Sequence, residues 1–255
     1  MENQPTALPI DHLTVADLLS SHTMPLAIKQ DLALKPHHVV NRATFTLLEI
    51  GGRDFFLTSC HVLQKFKEIK HDNDNAQLVA YGFVPHFDEY HGFTLVDSEE
   101  TVLDVAIFRG VAEKITIPGT RFIKYESSYL PEPQIGELVC VVGYPAADVS
   151  VKAEGSADFG YIQIIFPISS LSERQIVLAN ETGERRLHDF KNSAVTQIDL
   201  GGLSGSPAFV LRDMAAHFVG IVRSSTNSDH TILISRLGCL KNDGTLDRLR
   251  LPWPQ

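Results

Sequence analysis

From Arg42 onward the chain alternates short runs of β-branched, aromatic and other apolar residues with turn-forming residues. Runs of this length, bounded by Gly, Pro, Asn and Asp, are typical of β-strands. They are ATFTLLEI, DFFLTSC, AQLVAYGFV, GFTLVD, TVLDVAIFR, GELVCVVGY, GYIQIIFPI, RQIVLAN, AVTQIDL, SPAFVLR, AHFVGIVR and HTILIS. About a dozen strands suit two closed antiparallel barrels. The pattern therefore predicts an all-β fold of two six-stranded antiparallel β-barrels.

Local signals refine this picture at the first pair of strands. Gly51 and Gly52 separate ATFTLLEI from DFFLTSC, and a two-glycine spacer between strands predicts a tight hairpin. The run HVLQKFKEI that follows has the apolar spacing of a helical turn. We therefore expect a hairpin followed directly by a helix.

The chain ahead of the barrels has a different pattern. Thr14 precedes VADLLSS as a helix cap, and Pro36 ends the run PLAIKQDLALKP. We expect a short, partly helical N-terminal extension outside the main body. The predicted units are the extension at 1–40, the first barrel at 41–125, an inter-barrel linker at 126–133, and the second barrel with the C-terminal segment at 134–255.

Composition narrows the classes of partner. With 255 residues, 44% of them hydrophobic, the chain can bury a sizeable core. The formal net charge of -9 argues against binding to nucleic acid, which requires a basic face. No run is apolar enough to span a membrane, and the N-terminus lacks the pattern of a secretory signal. We expect a protein or peptide substrate, with a regulatory protein partner left open.

The cysteines and histidines indicate neither disulfides nor a metal. Three cysteines, Cys60, Cys140 and Cys239, make a poor disulfide framework, so a cytoplasmic location is expected. His86 and His91 lie near Asp88 and Glu89, but such a cluster is more often a solvated loop than a metal site. No metal and no cofactor are therefore expected.

Three segments carry candidate chemistry. In Gly202-Leu203-Ser204-Gly205-Ser206-Pro207 the glycines permit a tight turn that exposes a serine beside backbone N–H groups. A serine hydroxyl is a weak nucleophile until a base takes its proton and an acid orients that base. His61 follows an apolar strand in Thr-Ser-Cys-His-Val-Leu, and Asp104 begins another in Leu-Asp-Val-Ala-Ile-Phe. Taken singly each is weak evidence, but together they predict a catalytic triad.

These segments resemble those of the chymotrypsin-like (trypsin-like) serine peptidases. That family carries T-A-A-H or T-N-x-H-V, D-[IVL]-A-[LIV] and G-[DN]-S-G-[GS]-P segments in the order His, Asp, Ser, unlike subtilisins and α/β-hydrolases. The resemblance covers residues from about 40 to 240, and it is closer to intracellular or bacterial members than to digestive zymogens. It implies acyl transfer, with Ser204 as nucleophile, His61 as base, Asp104 as the orienting acid, and the N–H groups of Gly202 and Ser204 as the oxyanion hole.

The sequence departs from the family pattern at several positions. Leu203 replaces the acidic or amide residue before the serine, so activation by an ion pair with a new N-terminus is not expected. Ile198 falls where the resemblance places a pocket-floor aspartate, and neighbouring Asp199 compensates only if the register differs by one. Arg223 falls near a position usually held by serine beside the triad aspartate. The resemblance places the substrate pocket at Ile198, Asp199, Arg223, Ser224 and Ser225.

Two alternatives to a serine endopeptidase are open. The chain could be a catalytically silent binding or scaffold protein that keeps the peptidase fold. It could instead hydrolyse small esters with the same triad. Cys60 as nucleophile is disfavoured because neighbouring residues in a strand point to opposite faces, which separates Cys60 from His61.

Overall fold

The computed structural model describes most of the chain. The described residues are 7–9, 19–29, 39–81, 89–90, 93–110, 117, 119–126, 132–145, 149–151, 157–179, 187–188, 200–226 and 231–251. The first strands are β1 (Ala7–Pro9), β2 (Thr23–Lys29), β3 (Val39–Ile50), β4 (Arg53–Thr58), β5 (Gln77–Tyr81), β6 (Glu89–Tyr90), β7 (Thr94–Glu99), β8 (Val105–Arg109) and β9 (Ile123–Tyr125). They are followed by β10 (Leu138–Gly143), β11 (Val149–Val151), β12 (Ala157–Phe159), β13 (Ile162–Leu171), β14 (Gln175–Ala179), β15 (Leu187–His188), β16 (Pro207–Arg212), β17 (Ala215–Thr226) and β18 (Thr231–Ser235). Helix α1 spans Cys60–Asp72, and Leu19 and Ser20 are also helical.

The first sheet is a curled half-barrel. Its strands follow the order β6-β5-β2-β3-β4-β8-β7, and β9 adds to β3 in parallel. The predicted hairpin is confirmed, since Ile50 pairs with Arg53 across Gly51 and Gly52, which both have positive φ. Helix α1 follows β4 directly, as expected. The sheet therefore leads the chain from the hairpin straight into the helix that carries His61.

The second sheet closes on itself. Strands β17, β16, β10, β13, β14 and β18 form a ring, because β17 also pairs with β18. β1 is added outside the ring on β17, and β15 on β13. The all-β, two-barrel prediction is confirmed in class, with the second barrel closed and the first a half-barrel among the described residues.

The structure corrects the expectation for one part of the N-terminal segment. Thr23–Lys29 is not in an extension outside the main body but forms β2, between β3 and β5 of the first sheet. Every residue of β2 is buried. A continuous apolar run gives no alternation to distinguish a buried strand from a buried helix, which explains the difference. Of the helix predicted over VADLLSS after the Thr14 cap, residues 14–18 lie outside the described residues, and Leu19 and Ser20 are helical.

One buried apolar cluster joins the two sheets. Its members from the first sheet include Leu48, Phe55, Leu57, Val105 and Ile107, and those from the second include Cys140, Val142, Phe209, Phe218 and Ile221. Tyr125 on β9 also donates its hydroxyl to the carbonyl of Leu237 at 2.6 Å. The chain passes from the first sheet to the second between Tyr125 and Leu138, the interval that contains the predicted linker at 126–133.

Candidate active site

The serine motif forms a turn immediately before β16. Gly202 and Gly205 both have left-handed φ, at 92° and 87°, and the amide of Ser206 donates to the carbonyl of Leu203 at 2.8 Å. Ser204 is half-buried. The turn therefore holds the Ser204 side chain at the boundary between the sheet and solvent.

Leu203 anchors this turn. Its side chain is fully buried in the core of the second barrel, together with Val139 and Val141. The turn is thus ordered by the core of its own barrel.

Two amides of the turn form no hydrogen bond with any residue that the structure describes. The N–H groups of Leu203, Gly205 and Ser206 donate to the carbonyls of Leu200, Val222 and Leu203. Among the residues that the structure describes, the amides of Gly202 and Ser204 form no such bond. These are the two donors that the sequence resemblance assigns to an oxyanion hole.

The first sheet holds the turn from the opposite side. Thr44 donates its amide to the carbonyl of Ser204 at 2.9 Å and its hydroxyl to the carbonyl of Gly202 at 3.1 Å. Thr46 donates its hydroxyl to the carbonyl of Gly205 at 2.6 Å. Thr44 and Thr46, which alternate along β3, thereby fix the position of the serine turn against the first sheet.

Gly205 packs closely against the first sheet just before the histidine segment. A Cβ atom at Gly205 would lie 2.2 Å from the carbonyl oxygen of Thr44 and 2.7 Å from the Cα of Thr58. Thr58 lies three residues before His61. The missing side chain therefore lets the two segments meet.

We expect Gly205→Ala to lower the free energy of unfolding by about 2–5 kcal/mol, from left-handed strain together with overpacking. Gly136→Ala is the matched control, because Gly136 has the same φ of 87° but nothing within 4 Å of its added Cβ. Its loss should be limited to about 1–2 kcal/mol of backbone strain. Denaturant unfolding of both variants measures the difference. Equal losses would show that the contact with Thr58 does not matter.

His61 and Asp104 are held together by two hydrogen bonds. His61 lies in the first turn of α1, and its backbone amide donates to Asp104 Oδ1 at 2.8 Å. Its ring Nδ1 lies 2.7 Å from Asp104 Oδ2. When the carboxylate is ionised and the ring is neutral, the carboxylate only accepts, so Nδ1 carries the proton and Nε2 is left as an acceptor. The His61 side chain is 46% exposed and that of Asp104 only 10%, so the base can reach a substrate while the acid is shielded.

The backbone around these two residues explains their alignment. Asp104 has φ of 52°, an uncommon left-handed conformation for a residue other than glycine, and its carbonyl accepts from the amide of Cys60 at 3.1 Å. Ser59, at the N-terminus of α1, donates its hydroxyl across the interface to the carbonyl of Val222 at 2.9 Å. The histidine segment is therefore bound both to the acid and to β17.

The cysteines have the properties of packing residues. Cys60, Cys140 and Cys239 are all free and buried. Burial, followed by the charges of Asp104 and Glu100, raises the pKa of the Cys60 thiol. Burial also raises the pKa of Cys140 to about 12 and that of Cys239 to about 11. Since thiolates are the nucleophilic form, none of the three suits attack on a carbonyl near neutral pH.

The predicted pocket residues are placed only in part. Ile198 and Asp199 lie outside the described residues. Ser224 pairs with Leu233 on β18, and Ser225 donates its hydroxyl to the carbonyl of Leu200 at 3.0 Å. The Ser225 bond joins β17 to the segment that leads into the serine turn. Arg223 lies elsewhere and contacts the loop before Asp104.

Sequence reasoning missed the residues that support this geometry. Thr44, Thr46 and Ser59 bond across the interface, and Glu99 binds the loop before Asp104. Arg223, which the sequence resemblance assigns to the substrate pocket, also contacts that loop. The one available signal is the alternation of threonines within the apolar run ATFTLL of β3, since buried hydroxyls usually have hydrogen-bond partners.

Other expectations concern a metal and a membrane. In the described ranges no group of His, Cys, Asp and Glu side chains is arranged to hold a metal ion. His86, Asp88 and His91 lie outside those ranges, as does the side chain of Glu89. The described part of the chain contains no helix long and apolar enough to cross a membrane.

Comparison with known proteins gives a fold likeness. No protein family matches the sequence, and neither does any curated protein. A solved structure titled as a thermostable serine protease, AL20, from an extremophilic microorganism is 13% identical, covers 85% of this chain and 91% of its own, and has a TM-score of 0.48. The likeness is weak.

Proposed function

We propose that the protein is a serine hydrolase, and specifically a serine endopeptidase that cleaves protein or peptide substrates. The observation that carries the proposal is the pairing of His61 with Asp104, which leaves Nε2 of a half-exposed ring as an acceptor. The unbonded amides of Gly202 and Ser204 give it independent support. An acceptor base, a hydroxyl and two free donors are the groups that acyl transfer requires.

In the proposed reaction, Ser204 Oγ attacks the carbonyl carbon of the substrate while His61 Nε2 takes the hydroxyl proton. The carbonyl oxygen becomes negative and accepts hydrogen bonds from the amides of Gly202 and Ser204. His61 then passes its proton to the leaving amine, the C–N bond breaks, and an ester on Ser204 is left. Water, with its proton taken by His61, hydrolyses that ester and restores the serine.

Each group contributes differently to the rate. Asp104 holds the ring in the tautomer with Nδ1 protonated and stabilises the positive charge that His61 acquires. A single oxyanion donor typically lowers the barrier by about 3 kcal/mol. The backbone amides of Gly202 and Ser204 suit this role because the anchored side chain of Leu203 keeps them in place.

Active-site labelling tests the proposal. A fluorophosphonate probe, which reacts only with an activated serine, should label the full-length protein and not Ser204→Ala. A well-folded wild type that does not label would favour a silent binding or scaffold protein. Labelling together with turnover of small esters, but of no peptide, would replace the endopeptidase by an esterase.

Specificity should favour an apolar or small side chain before the cleaved bond over Lys or Arg. Ile198 offers no counter-charge for a basic side chain, and an unpaired buried charge is unfavourable. A peptide-library profile measures the preference. Dominance of Lys and Arg would contradict the prediction and would indicate that Asp199 provides the acid of the pocket.

The proposed partners and location rest on the sequence. Substrates are proteins or peptides, with no role for nucleic acid given the net charge of -9. A regulatory protein partner and a cytoplasmic location stay predictions. The mechanism uses backbone amides and three side chains and therefore requires no cofactor.

A further inference from the structure

The loop Thr101–Leu103 determines where Asp104 lies. It joins β7 to the left-handed residue Asp104, which is unfavourable unless neighbouring contacts hold the backbone. The carboxylate of Asp104 has to meet both the amide and the ring of His61. The conformation of this loop therefore sets the alignment of the proposed acid.

Glu99 binds the amides of this loop. Its carboxylate accepts from the backbone N–H groups of Thr101 at 3.0 Å, Val102 at 2.9 Å and Leu103 at 2.6 Å, and from the Thr101 hydroxyl at 2.7 Å. Partial burial acts to raise the pKa of Glu99, but the hydrogen bonds from Leu103, Thr101 and Val102 outweigh it and lower the pKa overall. The ionised form is thus the one that fits the loop.

Arg223 and Ser235 bind the carbonyls of the same loop from the second barrel. Arg223 Nη1 donates to the carbonyl of Val102 at 3.2 Å, and Nη2 makes a longer contact of 3.5 Å with that of Thr101. The Ser235 hydroxyl donates to the carbonyl of Leu103. Every backbone donor and acceptor of Thr101–Leu103 is therefore occupied, the donors by the first barrel and the acceptors by the second.

The position of Arg223 in β17 suits this contact. The register between β17 and β18 shifts between Val222 and Ser224, so Arg223 is the extra residue of a bulge, and bulges redirect a side chain. Its guanidinium forms no ion pair with any described carboxylate. The planar fork of arginine reaches two acceptors at once, which a lysine ammonium cannot do with the same geometry.

We propose that Arg223 is a positioning residue that, together with Glu99, aligns Asp104 with His61 only when the two barrels are docked. Arg223 acts on the loop carbonyls and not on the substrate. The positioning role rests on the proposed triad, but the first measurement that tests it, the tautomer of His61, does not depend on turnover. The site is therefore competent for catalysis only while the two barrels are docked.

The test measures the tautomer of His61 by the ¹⁵N shifts of its ring at a pH where the imidazole is neutral, assigned by comparison with His61→Gln. The wild type should carry the proton on Nδ1. In Arg223→Ala and in Glu99→Gln a substantial fraction should carry it on Nε2. The value of kcat should fall about 10²-fold, the cost of a misplacement near 1 Å, with KM little changed.

Two matched controls separate positioning from general effects. Arg236→Ala removes a guanidinium that also bonds a carbonyl, that of Ser172, but within the second barrel. Glu100→Gln removes the carboxylate next to Glu99 along the chain, which forms no hydrogen bond in the described structure. Both should keep the wild-type tautomer and kcat. Arg223→Lys should show the Arg223→Ala defect in weaker form.

The outcomes are distinct. A wild-type tautomer in Arg223→Ala and Glu99→Gln would overturn the proposal, and so would a loss of kcat that leaves the tautomer unchanged, since Arg223 would then act on substrate. Full recovery in Arg223→Lys would overturn the two-carbonyl contact. If Arg223→Ala does not fold, Glu99→Gln and Arg223→Lys decide. An Nδ1 tautomer in a wild type that no probe labels would refute the hydrolase and leave the positioning role standing.

Discussion

Ser204→Ala is expected to lower kcat on a peptide substrate by about 10⁶-fold, because acyl transfer has no nucleophile without the hydroxyl. The fold should be unaffected. Ser204 Oγ forms no hydrogen bond with the described residues, so its removal leaves no buried group unpaired. Denaturant unfolding should therefore place the variant within about 0.5 kcal/mol of the wild type. The large loss of rate and the small loss of stability are measured on the same preparation.

His61→Ala and the double variant with Ser204→Ala extend this experiment. Residues that act as one catalytic unit are not additive, so each single change should cost about as much as both together. A double variant that is slower than either single variant by the product of the two losses would indicate independent roles. Hydrolysis at the wild-type rate in Ser204→Ala would refute the assignment of the nucleophile.

The strands and the serine segment could be predicted because their signals are local. A run of β-branched and aromatic residues bounded by turn residues depends on a few neighbours, and the hairpin at Gly51 and Gly52 depends on two positions. The pairing of His61 with Asp104 was predicted from the order of the segments, because 43 positions separate them in sequence. The structure adds the two contacts between them, from the His61 amide at 2.8 Å and from its ring at 2.7 Å.

The rest depends on contacts between segments far apart in the chain. β2 was mistaken for part of an outer extension because its apolar run fits either a buried strand or a helix. The openness of the first sheet follows from which edges pair, and a sequence does not specify this. Arg223 was recognised as a departure, but its contact with Val102 requires the bulge in β17. Each of these is decided by packing and not by local pattern.

Asp104→Asn tests the acid with the least disturbance of the backbone. Asp104 has φ of 52°, and asparagine tolerates the left-handed region as well as aspartate does. The amide oxygen can still accept from the backbone N–H of His61, so the loop should stay in place. An alanine here would add backbone strain and confuse the result. The asparagine variant should therefore fold with a stability close to that of the wild type.

Its rate should nevertheless fall by about 10⁴-fold. With the oxygen bonded to the His61 amide, the NH₂ group faces His61 Nδ1, which must then accept, and the ring proton moves to Nε2. A protonated Nε2 cannot take the proton of Ser204. Asp97→Asn is the matched control, since Asp97 also accepts from a backbone amide, that of Leu246 at 2.8 Å, and pairs with Arg248 away from His61. Asp97→Asn should lower the free energy of unfolding and leave kcat unchanged. An Asp104→Asn variant that keeps both the wild-type rate and the Nδ1 tautomer would show that the 2.7 Å contact does not orient the base.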